Sequence, residues 1–393
     1  MRICLINNLY APFARGGAET AIDAYAKALE AAGHEIFIIT TLPRGEPTPA
    51  GNDKIYYLGG WSSIYYHLAS LPIFLRFIWQ LANLFNFASY FQIKKILARE
   101  KPDLVMTHNL MGIGFLTPLA IKQLKIRHFH FLHDVQLLHP SGLIIYGKEK
   151  IIDNLPSKIY QAISRRQFSS PEKIISPSAW LLSEHLDRGY FKVSEKLILP
   201  NPQLDLKSVA KNSTCLIARL PKRQGGQGFQ FLYVGLLENH KGVLFFAETF
   251  TKLNSDSAEL IIVGDGSQFG ALKQISAARE NIKLLGRKSR EEVFDCMSQA
   301  DCLVVPSLCY ENAPSVIFEA FACGLPVIAS AIGGIPELLN NRTELMFTPG
   351  SGRELTVRLD WVINNYPQSL KIISDLRGKL PEYSTAEYLK AVL

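Results

Sequence analysis

The chain is poor in cysteine, has no clean apolar run of bilayer length, and lacks the glycine fingerprint of dinucleotide binding. Six Cys among 393 residues, with no C-x-x-C pair, exclude a disulfide scaffold or a zinc ribbon and point to a reducing compartment. The N-terminus, Met1 to Asn8, offers an apolar run of only four residues, too short for a signal-peptide core, so the chain is expected to stay inside the cell. No G-x-G-x-x-G follows the first predicted strand, which argues against a nicotinamide dehydrogenase. No convincing metal-ligand cluster stands out either. The longest uncharged stretches, residues 55–75 and 77–93, flank Arg76 and are broken by Gly59, Gly60, Pro72, Asn83 and Asn86. A spanning helix needs about 20 mostly apolar residues. A buried or interfacial helix is expected instead, and core packing and membrane contact both stay open.

What is present is globular: 48% of residues are hydrophobic and 20% charged. The length predicts two domains. The net charge of +7 sits entirely in the first half. Residues 1–200 carry 22 Lys and Arg against 15 Asp and Glu, while residues 201–393 carry 20 of each. Such asymmetry fits an anionic partner such as a membrane surface, a lipid phosphate or a nucleic acid; ordinary surface solubility explains it equally well. No recognised nucleic-acid motif accompanies the charge. The segment from Lys148 through Lys158 to Arg165 and Arg166, with Ile159, Tyr160 and Ile163 interleaved, is suited to lie on an anionic surface.

Short β-like runs alternate with helical stretches, the pattern of parallel-sheet α/β architecture. Arg2–Asn7, Glu35–Thr41, Asp103–Thr107, His128–Leu132, Ile174–Ser176 and Leu197–Leu199 read as strands, and Thr20–Ala32 as a helix closed by Gly33. The pattern restarts with strands at Phe229–Val234, Leu260–Val263, Ile282–Leu285, Leu303–Val305 and Val327–Ser330. Helices are expected over Val243–Leu253 and near 267–278, 289–299 and 315–323. This predicts an N-terminal domain over 1–202, a variable linker over 203–228 and a C-terminal domain over 229–370. The C-terminal stretch 371–393 is expected to be helical and to pack back on the first domain. Two such units in tandem imply a cleft between them, and loops at the carboxyl ends of the strands should carry the chemistry.

Three loops have phosphate-binding character. Gly16-Gly17 lies between the first strand and helix, where backbone amides can approach an anion; a tight turn explains the pair as well. Gly235 to Gly242 follows a strand and opens a helix, with Lys241 placed to reach a diphosphate. Pro306 to Ala320 holds Glu311, Asn312, Ala313, Pro314, Ser315, Val316, Ile317 and Glu319. Pro314 suits a first helical turn, leaving the amides of Ser315, Val316 and Ile317 as donors. Two acids beside a phosphate site make sense as acceptors for sugar hydroxyls; one capping acid and one surface acid is the other reading of the pair. The glycine pair Gly333-Gly334 opens a further helix and is expected to approach a diphosphate or a sugar.

At these residues the chain resembles the retaining glycosyltransferases of family 4, which have the GT-B fold: two Rossmann-like, doubly wound domains facing a central cleft. Gly16-Gly17, Phe231 to Gly235 with Lys241-Gly242, Val263-Gly264-Asp265-Gly266, Glu311 and Glu319 as an E-x7-E pair, and Gly324 to Val327 with Gly333 to Glu337 follow the family's order. The resemblance implies a nucleotide-sugar donor held mainly by the second domain. Glu319 would hold the ribose hydroxyls, Glu311 would sit near the donor sugar, and Lys241 would neutralise the departing diphosphate. Gly16, Gly17, Gly235, Gly264 and the residues Asn312, Ala313, Ser315 and Val316 would meet the sugar and phosphate. His133, in Leu132-His133-Asp134, resembles the family's active-site histidine, whereas His128 and His130 are expected to be structural. The family needs no metal, and no cofactor is implied beyond the donor. One departure concerns position 236, where many members carry a cation and this chain has Leu236; Arg15 or His240 are the substitutes in view. The acceptor is expected to be lipid-linked or an envelope glycan, with peripheral association at the inner face of the membrane. A non-catalytic descendant that binds nucleotide-sugar or lipid remains the alternative.

Overall fold

The computed structural model describes residues 1–13, 17–49, 54–200, 228–253, 258–378 and 385–393. Residues 203–227 of the expected linker, together with Arg15 and Gly16, lie outside the described residues. The chain clusters into two compact units. The first comprises Met1–Ile144, the elements from Glu149 to Ile198, and the last helix, Thr385–Val392. The second comprises Ile145–Lys148 and the elements from Phe229 to Arg377.

The first unit is built on a parallel sheet of β1 (Arg2–Ile6), β2 (Glu35–Thr41), β3 (Ile55–Leu58), β4 (Leu104–Thr107), β5 (Arg127–Phe131), β6 (Lys173–Ser176) and β7 (Glu195–Ile198). Its order is β3-β2-β1-β4-β5-β6-β7, so the winding reverses between β1 and β4. β1 carries an unbroken apolar run, as a strand covered on both faces requires; Ile3, Cys4, Leu5 and Ile6 are all fully buried. The first helix, Gly17–Ala31, is stopped near Gly33, which takes a left-handed conformation at φ +82°. Thr385–Val392 packs against that first helix, with Tyr388 stacked on Tyr25 at 5.4 Å between ring centres. Helix Tyr366–Arg377, by contrast, contributes Ile372, Ile373 and Leu376 to the core of the second unit.

The uncharged region 55–93 resolves into β3, a 3-10 stretch over Gly60–Ser70, helix Ile73–Leu84 and the start of helix Phe87–Glu100. Among the described residues no helix is long and apolar enough to cross a membrane. In the basic segment, Tyr160 is buried and donates its hydroxyl to the Gln136 carbonyl, so it does not face outward with Ile159.

The second unit carries β8 (Phe229–Val234), β9 (Ala258–Val263), β10 (Ile282–Gly286), β11 (Cys302–Val305), β12 (Val327–Ser330) and β13 (Met346–Phe347), ordered β10-β9-β8-β11-β12-β13 and all parallel. The winding reverses between β8 and β11. Each reversal opens a gap between the loops that leave two neighbouring strands in opposite directions, the usual ligand position in such sheets.

Candidate functional site

The loops after β8 and β11 meet at the reversal of the second sheet. Lys241 ends a short 3-10 turn, Asn239–Lys241, and Gly242 then takes a left-handed φ of +72° to start helix Val243–Phe250. A Cβ at Gly242 would lie 1.9 Å from the Pro306 carbonyl oxygen, so only glycine lets the two loops close. The His240 carbonyl accepts the amides of Leu308 and Cys309, at 2.9 and 3.1 Å, and ties the loops together. This closure brings the Lys241 ammonium within 2.6 Å of Glu311 Oε1.

The same Glu311 oxygen accepts the Ser307 hydroxyl at 2.9 Å, and the Cys309 thiol points to it at 3.8 Å. All three donors converge on Oε1; among the described residues none bonds Oε2. The backbone of Glu311 is held as well, because its carbonyl accepts the Gly334 amide at 2.8 Å. Gly333, at φ +63°, would place a Cβ 2.1 Å from that carbonyl oxygen. The second glycine pair thus packs against the Glu311 backbone. Gly264 behaves alike: its Cβ would fall 1.9 Å from the Gly235 carbonyl oxygen, so these two glycines pack the loops after β8 and β9 against each other.

Charge states follow from these neighbours. Burial works to lower the Lys241 pKa, but the Glu311 carboxylate and the nearby Cys309 outweigh it and leave the ammonium above its usual value. Burial, with Glu311 beside it, pushes the Cys309 thiol up to about 12. His240 is lowered by burial and by the Lys241 charge, against the raising effect of Glu311 and Glu238; Leu236 is exposed.

Asn312, Ala313 and Pro314 lead into helix Ser315–Ala322, with Pro314 at the N-cap rather than inside the first turn. Ile317 donates its amide to the Pro314 carbonyl at 3.1 Å, so it is not a ligand donor as expected; Ser315 and Val316 remain the helix-start amides. Glu319 lies one turn into this helix, largely buried. Burial raises its pKa, and Arg290, 3.8 Å away, opposes the rise. Ser307 and Arg290 were not singled out from the sequence. Arg290 had a readable signal: it occupies the first position of helix Arg290–Gln299, where a cation meets the unfavourable end of the helix dipole and needs another partner.

The first unit has its own polar cluster at the ends of β1, β4 and β5. His108 Nδ1 and His133 Nε2 are 3.0 Å apart, Asn109 donates to Asp134 at 3.3 Å, and the Asn109 amide donates to Asn7 Oδ1 at 3.0 Å. Burial lowers His133 to about 4 and His108 well below its usual value, so both are neutral at pH 7. Burial raises Asp134 to about 6, against the lowering effect of the Gln136 amide. His128 and His130 both bond Thr107 Oγ1, at 2.7 and 2.8 Å, inside the sheet. Gly17 is the first residue of its helix; Gly16 falls outside the described residues. Among the described residues no group of three His, Cys, Asp or Glu side chains is arranged to hold a metal ion.

Residues 15–198 match the family model described as Glycosyltransferase Family 4, and residues 228–365 match that described as Glycosyl transferases group 1. The chain is a glycosyltransferase of GT-B architecture, and it belongs to family 4. A relative described as an uncharacterised 42.6 kDa protein in the cps region of Klebsiella pneumoniae is 30% identical over 346 residues, covering 86% of this chain and 87% of its own. The N-acetyl-alpha-D-glucosaminyl L-malate synthase of Bacillus anthracis is 22% identical, covering 83% of this chain and 78% of its own. Among solved structures, Anabaena HepE in complex with UDP superposes with a TM-score of 0.71 at 17% identity, covering 100% of this chain and 99% of its own.

Proposed function

We propose that the chain moves a sugar, with retention, from a nucleoside-diphosphate sugar to a hydroxyl acceptor. The observation that carries this reading is the Lys241–Glu311 pair across the reversal between β8 and β11, with one carboxylate oxygen occupied and the other left for a sugar hydroxyl. In the proposed step the bond from the sugar C1 to the diphosphate oxygen breaks, and the acceptor oxygen bonds C1 on the same face. The acceptor proton passes to the departing diphosphate. Lys241 and the amides of Ser315 and Val316 take up charge that grows on the diphosphate. Glu311 Oε2 and Glu319 accept hydroxyls of sugar and ribose, and His133 serves as a neutral imidazole on the sugar side. Charge neutralisation falls to Lys241 rather than to a metal, and no cofactor is invoked beyond the donor.

The UDP bound by HepE places UDP-sugars first among donors to be tried. The positive first half supports a lipid-linked or envelope-glycan acceptor and peripheral association at the inner membrane face. The test is a nucleotide-sugar panel scored for free nucleoside diphosphate, with and without lipid extract. One donor should give release that falls at least about tenfold in Lys241→Met and in Glu311→Gln. The exposed Leu236, where many members carry a cation, favours a second reading: binding of nucleotide-sugar without turnover. Saturable binding with no release from any donor would select it.

A further inference from the structure

Helix Ile73–Leu84 is turned inside out. Phe74, Ile78 and Leu81 recur at helical spacing on its outer face, and Phe85 continues the stripe at the C-cap. Phe87 and Phe91 extend it along helix Phe87–Glu100. These six side chains are 42% to 64% exposed. The orientation is anchored, because the inward face holds the fully buried Leu84 and Asn83. Asn83 Oδ1 accepts the Gly112 amide at 2.9 Å, and its backbone carbonyl accepts the Phe115 amide at 3.1 Å. Rotating the helix to hide its phenylalanines would break those bonds. A contiguous exposed apolar stripe on a protein surface marks a contact surface.

Charge selects the occupant. Between residues 55 and 99 the sequence has four cations, Arg76, Lys94, Lys95 and Arg99, and no acid. Lys94 and Lys95 fall seven and eight residues after Phe87, on the same side of the helix as Phe87 and Phe91; Lys95 is exposed, and Lys94, half-buried, rests its ammonium on Gln123 Oε1 at 2.5 Å, a contact it must exchange to reach a phosphate. A symmetric dimer through this face would set the positive patch against itself. An anionic bilayer would attract it. Helix Leu155–Gln167 also exposes Leu155 and Ile159 one turn apart beside Lys158, and its far end is tied to the first helix where Gln167 Nε2 bonds the Leu84 carbonyl at 2.7 Å.

We infer that the outer face of Ile73–Leu84 and Phe87–Glu100 docks on an anionic lipid surface, its aromatic and aliphatic side chains entering the headgroup boundary and Lys94 and Lys95 meeting lipid phosphates. Helices of 12 and 14 residues are too short to span, so they lie in the interface plane. This deepens the reading of a lipid-linked acceptor by naming the surface that brings the protein to it.

The test is co-sedimentation of the full chain with phosphatidylcholine vesicles, with and without phosphatidylglycerol. The wild type should pellet with the anionic vesicles at low salt and be released by high salt. Phe74→Ser/Ile78→Ser/Phe87→Ser/Phe91→Ser should bind at least about tenfold more weakly. Lys94→Glu/Lys95→Glu should lose the preference for phosphatidylglycerol. Both variants change outward positions and should keep the wild-type unfolding midpoint; if the first does not, the second decides. A wild type that stays in the supernatant, or a serine variant that pellets like wild type, overturns the proposal. So does a wild-type dimer that the serine variant splits. Nucleoside-diphosphate release is scored separately: vesicle binding without release would sink only the transferase reading, and release without vesicle binding would sink only the docking.

Discussion

Replacing Gly333 with alanine tests whether the second glycine pair exists to close on Glu311. Gly333 sits at φ +63°, and an added Cβ would lie 2.1 Å from the Glu311 carbonyl oxygen, whereas real Cβ contacts essentially never fall below 3.0 Å. The loops must therefore part by nearly 1 Å. The left-handed conformation costs alanine about 1–2 kcal/mol. Weakening the 2.8 Å bond from the Gly334 amide to Glu311 adds about 1 kcal/mol. A total of about 2–3 kcal/mol lowers the midpoint of a unit of this size by roughly 4–12 °C. Because Glu311 Oε1 also holds Lys241, the shift loosens the ion pair, and a displacement of about 1 Å costs turnover on the order of a hundredfold. Circular dichroism melts and nucleoside-diphosphate release read the two effects. Gly270→Ala is the control: it lies in helix Phe269–Ala278 with open space around it and should be neutral or stabilising by up to about 1 kcal/mol. If Gly333→Ala melts and turns over like wild type, the steric account of this loop is wrong.

Three further outcomes are expected. Tyr388→Ala removes a fully buried ring stacked on Tyr25 and should cost about 3–5 kcal/mol in urea unfolding; a loss below about 1 kcal/mol would show that the last helix contributes little to the first unit. Acid should destabilise the first unit: His128, His133 and His185 have folded pKa values of about 3, 4 and 4 against 6.5 when unfolded, so the unfolded state binds more protons between these limits. Stability is then fully present above pH 6.5 and falls as pH drops toward 4, by up to about 1.4 kcal/mol per pH unit for each group. Asp134, raised to about 6, works the other way but is a single group; midpoints that do not fall between pH 7 and 5 would contradict the sum. Arg290→Gln removes the cation opposing the raised Glu319 pKa, so KM for the donor should rise several-fold with kcat little changed, and more at low pH; an unchanged KM would remove Arg290 from the site.

The sequence revealed what rests on local pattern. Strands β1, β2, β8 and β12 are rich in apolar residues, Ile3–Ile6, Ile36–Ile39, Phe231–Val234 and Val327–Ala329, as a parallel sheet covered on both faces demands. β13 has only two residues, and β3 has only four, at the head of a long uncharged stretch whose length and aromatic content drew the reading toward a helix. A buried or interfacial helix was legible in this stretch, and helix Ile73–Leu84 is there, but with apolar residues on both faces the periodicity could not say which of them meets the core. Lys241 and Glu311 could be picked out singly from loop position and residue type. Their ion pair spans 70 residues and needed β8 to lie beside β11, which only the strand order shows. The glycines at 242, 264 and 333 each allow a close approach to neighbouring backbone that loop position alone does not reveal. Contact with a ligand and contact with a carbonyl leave the same signature in a sequence.

The most direct measurement of the central claim is calorimetric titration of UDP, with GDP and ADP in parallel, into the wild type and into Lys241→Met. At least one nucleoside diphosphate should bind the wild type saturably and bind Lys241→Met at least about tenfold more weakly, since a cation aimed at the diphosphate is lost. Equal affinity in the two proteins, or no binding of any of the three, would contradict the assignment of the Lys241–Glu311 pair as the donor site.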